Sequence, residues 1–360
     1  MNDRRCFSAI GLAALFSLTW AQAQVTPHLA LDKAATSGQP WKAPRTPDGH
    51  PDLQGVWANN TATPLERPAE LAGRSSLTDE EVSAMRERAA ELYNGKGDAA
   101  FGDTIFQTVW ASVKGKSPTA GPHIKAANEF DGGTGDYSSE WIVAREWDNR
   151  TSLITDPPDG KMPAMTPEGL ARRNAVFAAM LRPAATADDR GLQERCITFG
   201  SPQLTAGYQS YTQIQQTPDA VVILSEMIHD ARVIPLDGRP HAPSSIRQWL
   251  GDSRGHWEGD TLVVDTTSYK PKSFMASSSE KLHVIERFSR TGPFSLRYQI
   301  TIDDPGTWTK RWSLMLPLKQ SPTPIFEYAC HEGNVGLAGI LAGARAEEKA
   351  AQSQGGGLPK

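Results

Sequence analysis

The chain has 360 residues, 39% of them hydrophobic, and a formal net charge of −4 at pH 7. That is enough apolar material for one large core or two small ones. A mildly acidic balance with both signs mixed along the chain excludes a phosphate-backbone or anionic-membrane partner, so no nucleic-acid binding is expected.

The order Arg4-Arg5, an apolar run from Ala9 to Trp20, then Ala21-Gln22-Ala23 predicts a cleavable export signal over residues 1–23. The run is too short and interrupted to span a membrane, and no later stretch is a candidate, so no membrane insertion is expected. The mature protein is expected in the periplasm or secreted. Arg4-Arg5-Cys6-Phe7 also resembles a twin-arginine signal, which leaves the export route open. Losing Asp3, Arg4 and Arg5 removes a net +1, which takes the mature chain from −4 to −5. Cys6 leaves too. Cys196 and Cys330 then remain, and an exported chain with two cysteines predicts a disulfide, with metal ligation or free thiols as alternatives.

Residues 24–140 read as a proline- and glycine-rich wrapping segment. It holds one short strand, Leu53 to Trp57, and a helix that Thr78-Asp79-Glu80-Glu81 starts and that runs to Tyr93. Residues 94–136 lack strong periodicity and read as a long surface segment. Residues 141–350 read as a β-rich core. Trp141 to Trp147 and Thr151 to Thr155 look extended, Pro157-Pro158-Asp159-Gly160 is a turn, and Thr166-Pro167-Glu168 starts a helix towards Leu181.

After Cys196 the alternation predicts strands at Tyr208–Gln216, Ala220–Ile228, Ala231–Leu236 and Thr261–Thr267. More follow at Lys281–Arg290, Phe294–Ile302, Trp308–Leu316 and Ile325–Cys330, each bounded by turn residues. Gly336 to Ala350 reads as a helix, and 351–360 as a disordered tail. Sequential strands with short connections predict a mainly β fold: a curved antiparallel sheet or a closed up-and-down barrel.

Gly251-x-Ser253-x-Gly255 matches a serine-hydrolase nucleophile elbow, and Ser253, Asp265 or Asp303, and His331 follow in hydrolase chain order. The elbow needs a strand before it and a helix after it. Here a Glu-Gly-Asp turn and a β-branched run follow, so Ser253 is expected to make a turn hydrogen bond, with a serine hydrolase kept as an alternative.

Four blocks stand out: Glu194-Arg195-Cys196; Met227-Ile228-His229-Asp230-Ala231-Arg232; Gly255-His256-Trp257-Glu258-Gly259-Asp260-Thr261; and Tyr328-Ala329-Cys330-His331-Glu332-Gly333-Asn334. With the run from Pro44 to Trp57, they resemble the recurring blocks of a family of exported bacterial proteins. The resemblance covers most of the mature chain and implies class and compartment, with no activity to carry over. Gly55-x-Trp57 also resembles the first strand of lipocalins, from which the long irregular segment after it departs.

The polar residues of these blocks fall at predicted strand ends. If the sheet closes, strand ends meet at a rim where pockets open. His229, Asp230, His256, Glu258, His331 and Glu332 are the candidate catalytic groups, because histidine beside carboxylate supplies acid and base near neutral pH. Arg232, Arg254, Trp257, Tyr208, His283 and Glu286 are the candidate substrate-binding groups. The plainer explanation of any one is a hairpin-stabilising turn contact, or for Glu286 a buried ion pair. His229, His256, His283 and His331 show no local metal-ligand spacing, so no metal is expected. The absence of a phosphate loop or dinucleotide fingerprint predicts no nucleotide cofactor.

The expected function is an exported enzyme, a lyase or isomerase, acting on a small apolar or aromatic molecule. A non-catalytic small-molecule carrier is the alternative. Oligomeric state and substrate are not legible.

Overall fold

The computed structural model describes residues 41–92, 104–115, 145–204, 206–275 and 277–353, and the fold belongs to the unit beginning at Lys42. The expected signal at 1–23 lies outside the described residues, as do 354–360 of the expected tail. Residues 351–353 instead end the last helix, α4 (Val335–Ser353).

Ten antiparallel strands form one strongly curved sheet. In chain order they are β1 (Gly55–Ala58), β2 (Ile154–Asp156), β3 (Tyr211–Gln216), β4 (Ala220–Ser225) and β5 (Ala231–Pro235). They continue with β6 (Asp252–Glu258), β7 (Thr261–Thr267), β8 (His283–Gly292), β9 (Ser295–Asp303) and β10 (Trp312–Ser321). The spatial order is β5-β4-β3-β1-β10-β9-β8-β7-β6, with β2 also on β10. An even number of antiparallel steps separates β5 from β6, so these two edges run parallel. Parallel neighbours need a long crossover, and residues 236–251 supply it.

No ladder joins β5 to β6 among the described residues, and the sheet remains unclosed. Side chains still bring the edges together: a Cβ on Gly255 of β6 would lie 2.7 Å from Leu236 and 2.9 Å from Ile234. The seam is therefore packed at Gly255 but not laddered.

Alternation on the strands builds the core, because successive side chains face opposite sides. Val284, Glu286 and Phe288 of β8, Tyr298, Ile300 and Ile302 of β9, and Trp312, Leu314 and Leu316 of β10 all point inward and are buried. Phe288 stacks on Tyr298 with centroids 4.4 Å apart. Trp57 is fully buried, donates from Nε1 to the Leu53 carbonyl at 2.8 Å, and carries the Arg290 guanidinium 5.0 Å above its ring.

Four helices accompany the sheet among the described residues. α1 (Asp79–Leu92) begins with the expected capping box, the Glu81 N–H donating to Thr78 Oγ1 at 3.2 Å and the Thr78 N–H to Glu81 Oε2 at 3.0 Å. α2 (Thr104–Val113) corrects the reading of 94–136 as surface coil: Phe106, Val109 and Trp110 bury against Met85 and Trp147 in a second, smaller core. α3 (Pro167–Met180) starts as expected, capped by Thr166 accepting from the Gly169 N–H at 3.0 Å.

Two further corrections matter for the site. Asp252 to Glu258, to which the sequence reading assigns no strand, is strand β6, hairpinned to β7 through the expected Glu-Gly-Asp turn, where Gly259 has a φ of +59° that suits a two-residue turn. Ile325 to Cys330, read as a strand, is irregular and runs along a rim: the Phe326 N–H donates to Glu226 Oε2 at 2.9 Å. Pro322 and Pro324 just before it remove ladder donors.

Candidate functional site

Strand direction sorts the motif blocks into two rims. One rim holds the starts of β5, β6 and β8 and the end of β4. There Cys196 and Cys330 form the expected disulfide, with Cα atoms 5.7 Å apart. The Asn334 side chain donates to the Glu194 carbonyl at 2.9 Å, and His229 Nδ1 lies 3.0 Å from the Tyr328 carbonyl. Asp230 Oδ2 accepts from Thr198 Oγ1 at 2.7 Å and from the Phe199 N–H at 2.9 Å. Three of the four blocks thus form one clasp.

The fourth block lies at the opposite rim, at the β6–β7 turn. Trp257 stacks on His50 with centroids 4.6 Å apart, and Arg45 pairs with Asp260 at 2.7 Å, joining the Pro44–Trp57 run to it. His256 faces solvent and pairs with Glu258 at 3.2 Å, and Glu258 also binds Arg287. His256, Glu258 and Trp257 therefore do not share a rim with His229 and Asp230, because β5 and β6 run parallel and these groups sit at opposite ends. His331 and Glu332 are exposed, with no side-chain hydrogen bond or ion pair among the described residues. Tyr208 is half-buried just before β3.

Asp230 and Arg232 do meet at a cavity. Together with Leu250, they line both a small internal cavity of about 40 Å³ and an outer cleft of about 400 Å³ over the β5–β6 seam. The internal cavity holds a few water molecules at most. The cleft falls in the range of small-molecule sites. Its wall adds Trp249, Asp252, Ser253 and Arg254, and Val233 contributes an exposed apolar side chain.

The two carboxylates of the cleft are tuned in opposite directions. Burial pushes Asp230 above the usual carboxylate range, against the bonds from Thr198 and Phe199. Burial raises Asp252 as well, but the Ala242 N–H, His241 and Arg254 outweigh it and hold the group below that range. The contacts are short: the Ala242 N–H and His241 Nδ1 each lie 2.9 Å from Asp252 Oδ2, and Arg254 2.9 Å from Oδ1.

Behind the wall, on the outer face of the sheet, His241 Nε2 lies 3.1 Å from Asp265 Oδ1, and His283 Nε2 lies 2.9 Å from the same oxygen. The hydrogen bond that His283 donates to Asp265 raises His283. Burial raises Asp265, but His283 and His241 bring it below its ordinary value. His241 was not singled out from sequence because it lies in the aperiodic crossover; its one signal is the flanking pair Pro240 and Pro243, which stiffens that segment.

Glu286 is fully buried and binds Arg232 through both carboxylate oxygens, at 2.6 and 2.8 Å, while Tyr298 donates to it as well. It is the buried ion pair, with no contact to the cleft wall except through Arg232. Ser253 faces inward near the start of β6 and, instead of the expected turn contact, pairs across the ladder with Thr266 Oγ1 at 2.9 Å, far from an elbow geometry, and no described histidine hydrogen-bonds it. Among the described residues, no group of three or more His, Cys, Asp or Glu is arranged to hold a metal ion, and no helix is long and apolar enough to cross a membrane. Comparison of the chain with protein families, with curated proteins and with solved structures gives no match.

Proposed function

We propose that this chain is an exported enzyme that transfers protons on a small, uncharged molecule with an apolar or aromatic body, as a lyase or isomerase. The observation that carries the reading is that Asp230 and Asp252 share one cleft wall in opposed electrostatic environments. Two carboxylates driven apart in proton affinity divide into an acid and a base. Asp252, of lower proton affinity, is the partner that takes a proton from the substrate carbon. Asp230, of higher proton affinity, is the partner that gives one to the leaving group or to a neighbouring carbon, and the cycle closes when Asp252 loses its proton to water and Asp230 regains one from water.

The wall also supports the substrate class. Trp249, Leu250, Val233 and Pro235 offer an apolar surface. Both arginines are already paired, Arg232 with Glu286 and Arg254 with Asp252, which leaves no uncommitted arginine for an anion. The Cys196–Cys330 disulfide supports an oxidising compartment such as the periplasm.

The test is a turnover screen of neutral aromatic and alicyclic compounds followed by NMR. Asp230→Asn keeps the carbonyl that accepts from Thr198 and Phe199, so folding should persist while turnover falls about 100-fold or more. Binding in the cleft without turnover of any compound would return the carrier reading, and full activity of Asp230→Asn would overturn the assignment.

A further inference from the structure

Asp252, His241, Asp265 and His283 form an unbroken alternation of carboxylate and imidazole, with successive contacts of 2.9, 3.1 and 2.9 Å. Asp252, in the cleft wall, is only 8% exposed, whereas His241, Asp265 and His283 on the outer face are 28%, 35% and 36% exposed. We propose that this chain is a proton relay that carries a proton from Asp252 in the cleft to solvent on the outer face of the sheet, with His283 as its last member. The inference rests on Asp252 being the proton acceptor and adds where the proton goes.

The transfer runs in the tautomers that carry the proton on His241 Nε2 and on His283 Nδ1, which leave His241 Nδ1 and His283 Nε2 free to accept. A proton taken by Asp252 passes from Oδ2 to Nδ1 of His241. The proton on His241 Nε2 moves to Asp265, and Asp265 passes one to Nε2 of His283. His283 then releases its Nδ1 proton to water. One proton enters, one leaves, and every group returns to its starting state after the two imidazoles reset their tautomers. A base of low proton affinity is a poor final acceptor but a good first carrier, because it gives the proton up readily. Arg254 beside Asp252 and Asp303 opposite His283 on β9 are the other charges that face the ends of the relay.

The plainer role for His241 is to staple the β5–β6 crossover to the sheet. A staple and a relay differ in what replaces them. Histidine 15N NMR on the substrate-free protein provides the first arm. A relay predicts a shift of the His283 midpoint in Asp252→Asn; a His283 curve that ignores Asp252→Asn would overturn it.

The second arm uses a compound turned over in the screen above. His241→Ala should slow turnover about 10- to 100-fold with binding unchanged, and added imidazole should restore most of it. Loss without rescue would leave His241 as a staple and end the proposal. Retained activity in both Asp230→Asn and Asp252→Asn would instead overturn the acid–base reading, while the titration arm would still decide whether the four groups share protons.

Discussion

Glu286 has no exposed surface, and Arg232 reaches it from across the seam with both terminal nitrogens. Two desolvated charges cost several kcal/mol each, which their attraction and the Tyr298 hydroxyl offset. Arg232 is held charged by Glu286 against its own burial. Removing one partner strands the other: Glu286→Gln should cost about 3–5 kcal/mol in urea unfolding, whereas Arg232→Met with Glu286→Leu should be close to neutral. Equal losses for the single and the double variant would show that packing, not the stranded charge, sets the cost.

At the same scale, the outer network has a defined pH window. Asp252 and Asp265 are held below 3.8, so their contribution is present above that value and lost as pH falls through their folded values. His283 is raised above 6.5, so its contribution is present below 6.5 and lost as pH rises through its folded value. The network is fully formed from about pH 4 to about pH 6.5. His283→Gln should therefore lower Tm at pH 6 and have little effect at pH 9; equal losses at both would remove the ion-pair account.

Among the elements, those that carry their own instructions were legible. Thr78 and Glu81 announce the start of α1, Thr166 announces α3, and the alternation along β7, β8 and β9 gives the strands, while a charge on each face of β8 hides which face is inward. β6 was not legible, because Asp-Ser-Arg-Gly-His-Trp-Glu has weak strand propensity and is extended by its ladder to β7. α2 was missed because its apolar face is buried in a small core with α1 and Trp147, tertiary partners that local sequence does not announce.

The disulfide was legible from count and compartment, and its place beside Asp230 was not. It closes a separation of 134 residues. Cys196→Ser with Cys330→Ser should cost about 2–5 kcal/mol. It should also increase amide exchange at Ile197 to Phe199, which border Asp230; unchanged exchange there would separate the disulfide from the cleft.

At the level of the whole molecule, an antiparallel meander with parallel edges cannot close on itself by simple hairpins, and this one leaves its seam between β5 and β6. The cleft lies over that seam. Strand-end reasoning found Asp230 and Arg232 because both sit at the start of β5. It failed for His256 and Glu258 because rim membership follows strand direction, which depends on the spatial order of strands and not on their sequence. Asp252 and His241 fell outside it because the sequence assigns no element to β6 or to the crossover.

The central claim is that one cleft holds two carboxylates of opposed proton affinity, and it can be measured without knowing the substrate. Carboxyl 13C NMR of the intact protein, with Asp230→Asn and Asp252→Asn for assignment, reads each titration directly. The account predicts Asp230 titrating above the ordinary aspartate value of 3.8 and Asp252 below it. Two curves that coincide near that value would contradict the division into acid and base.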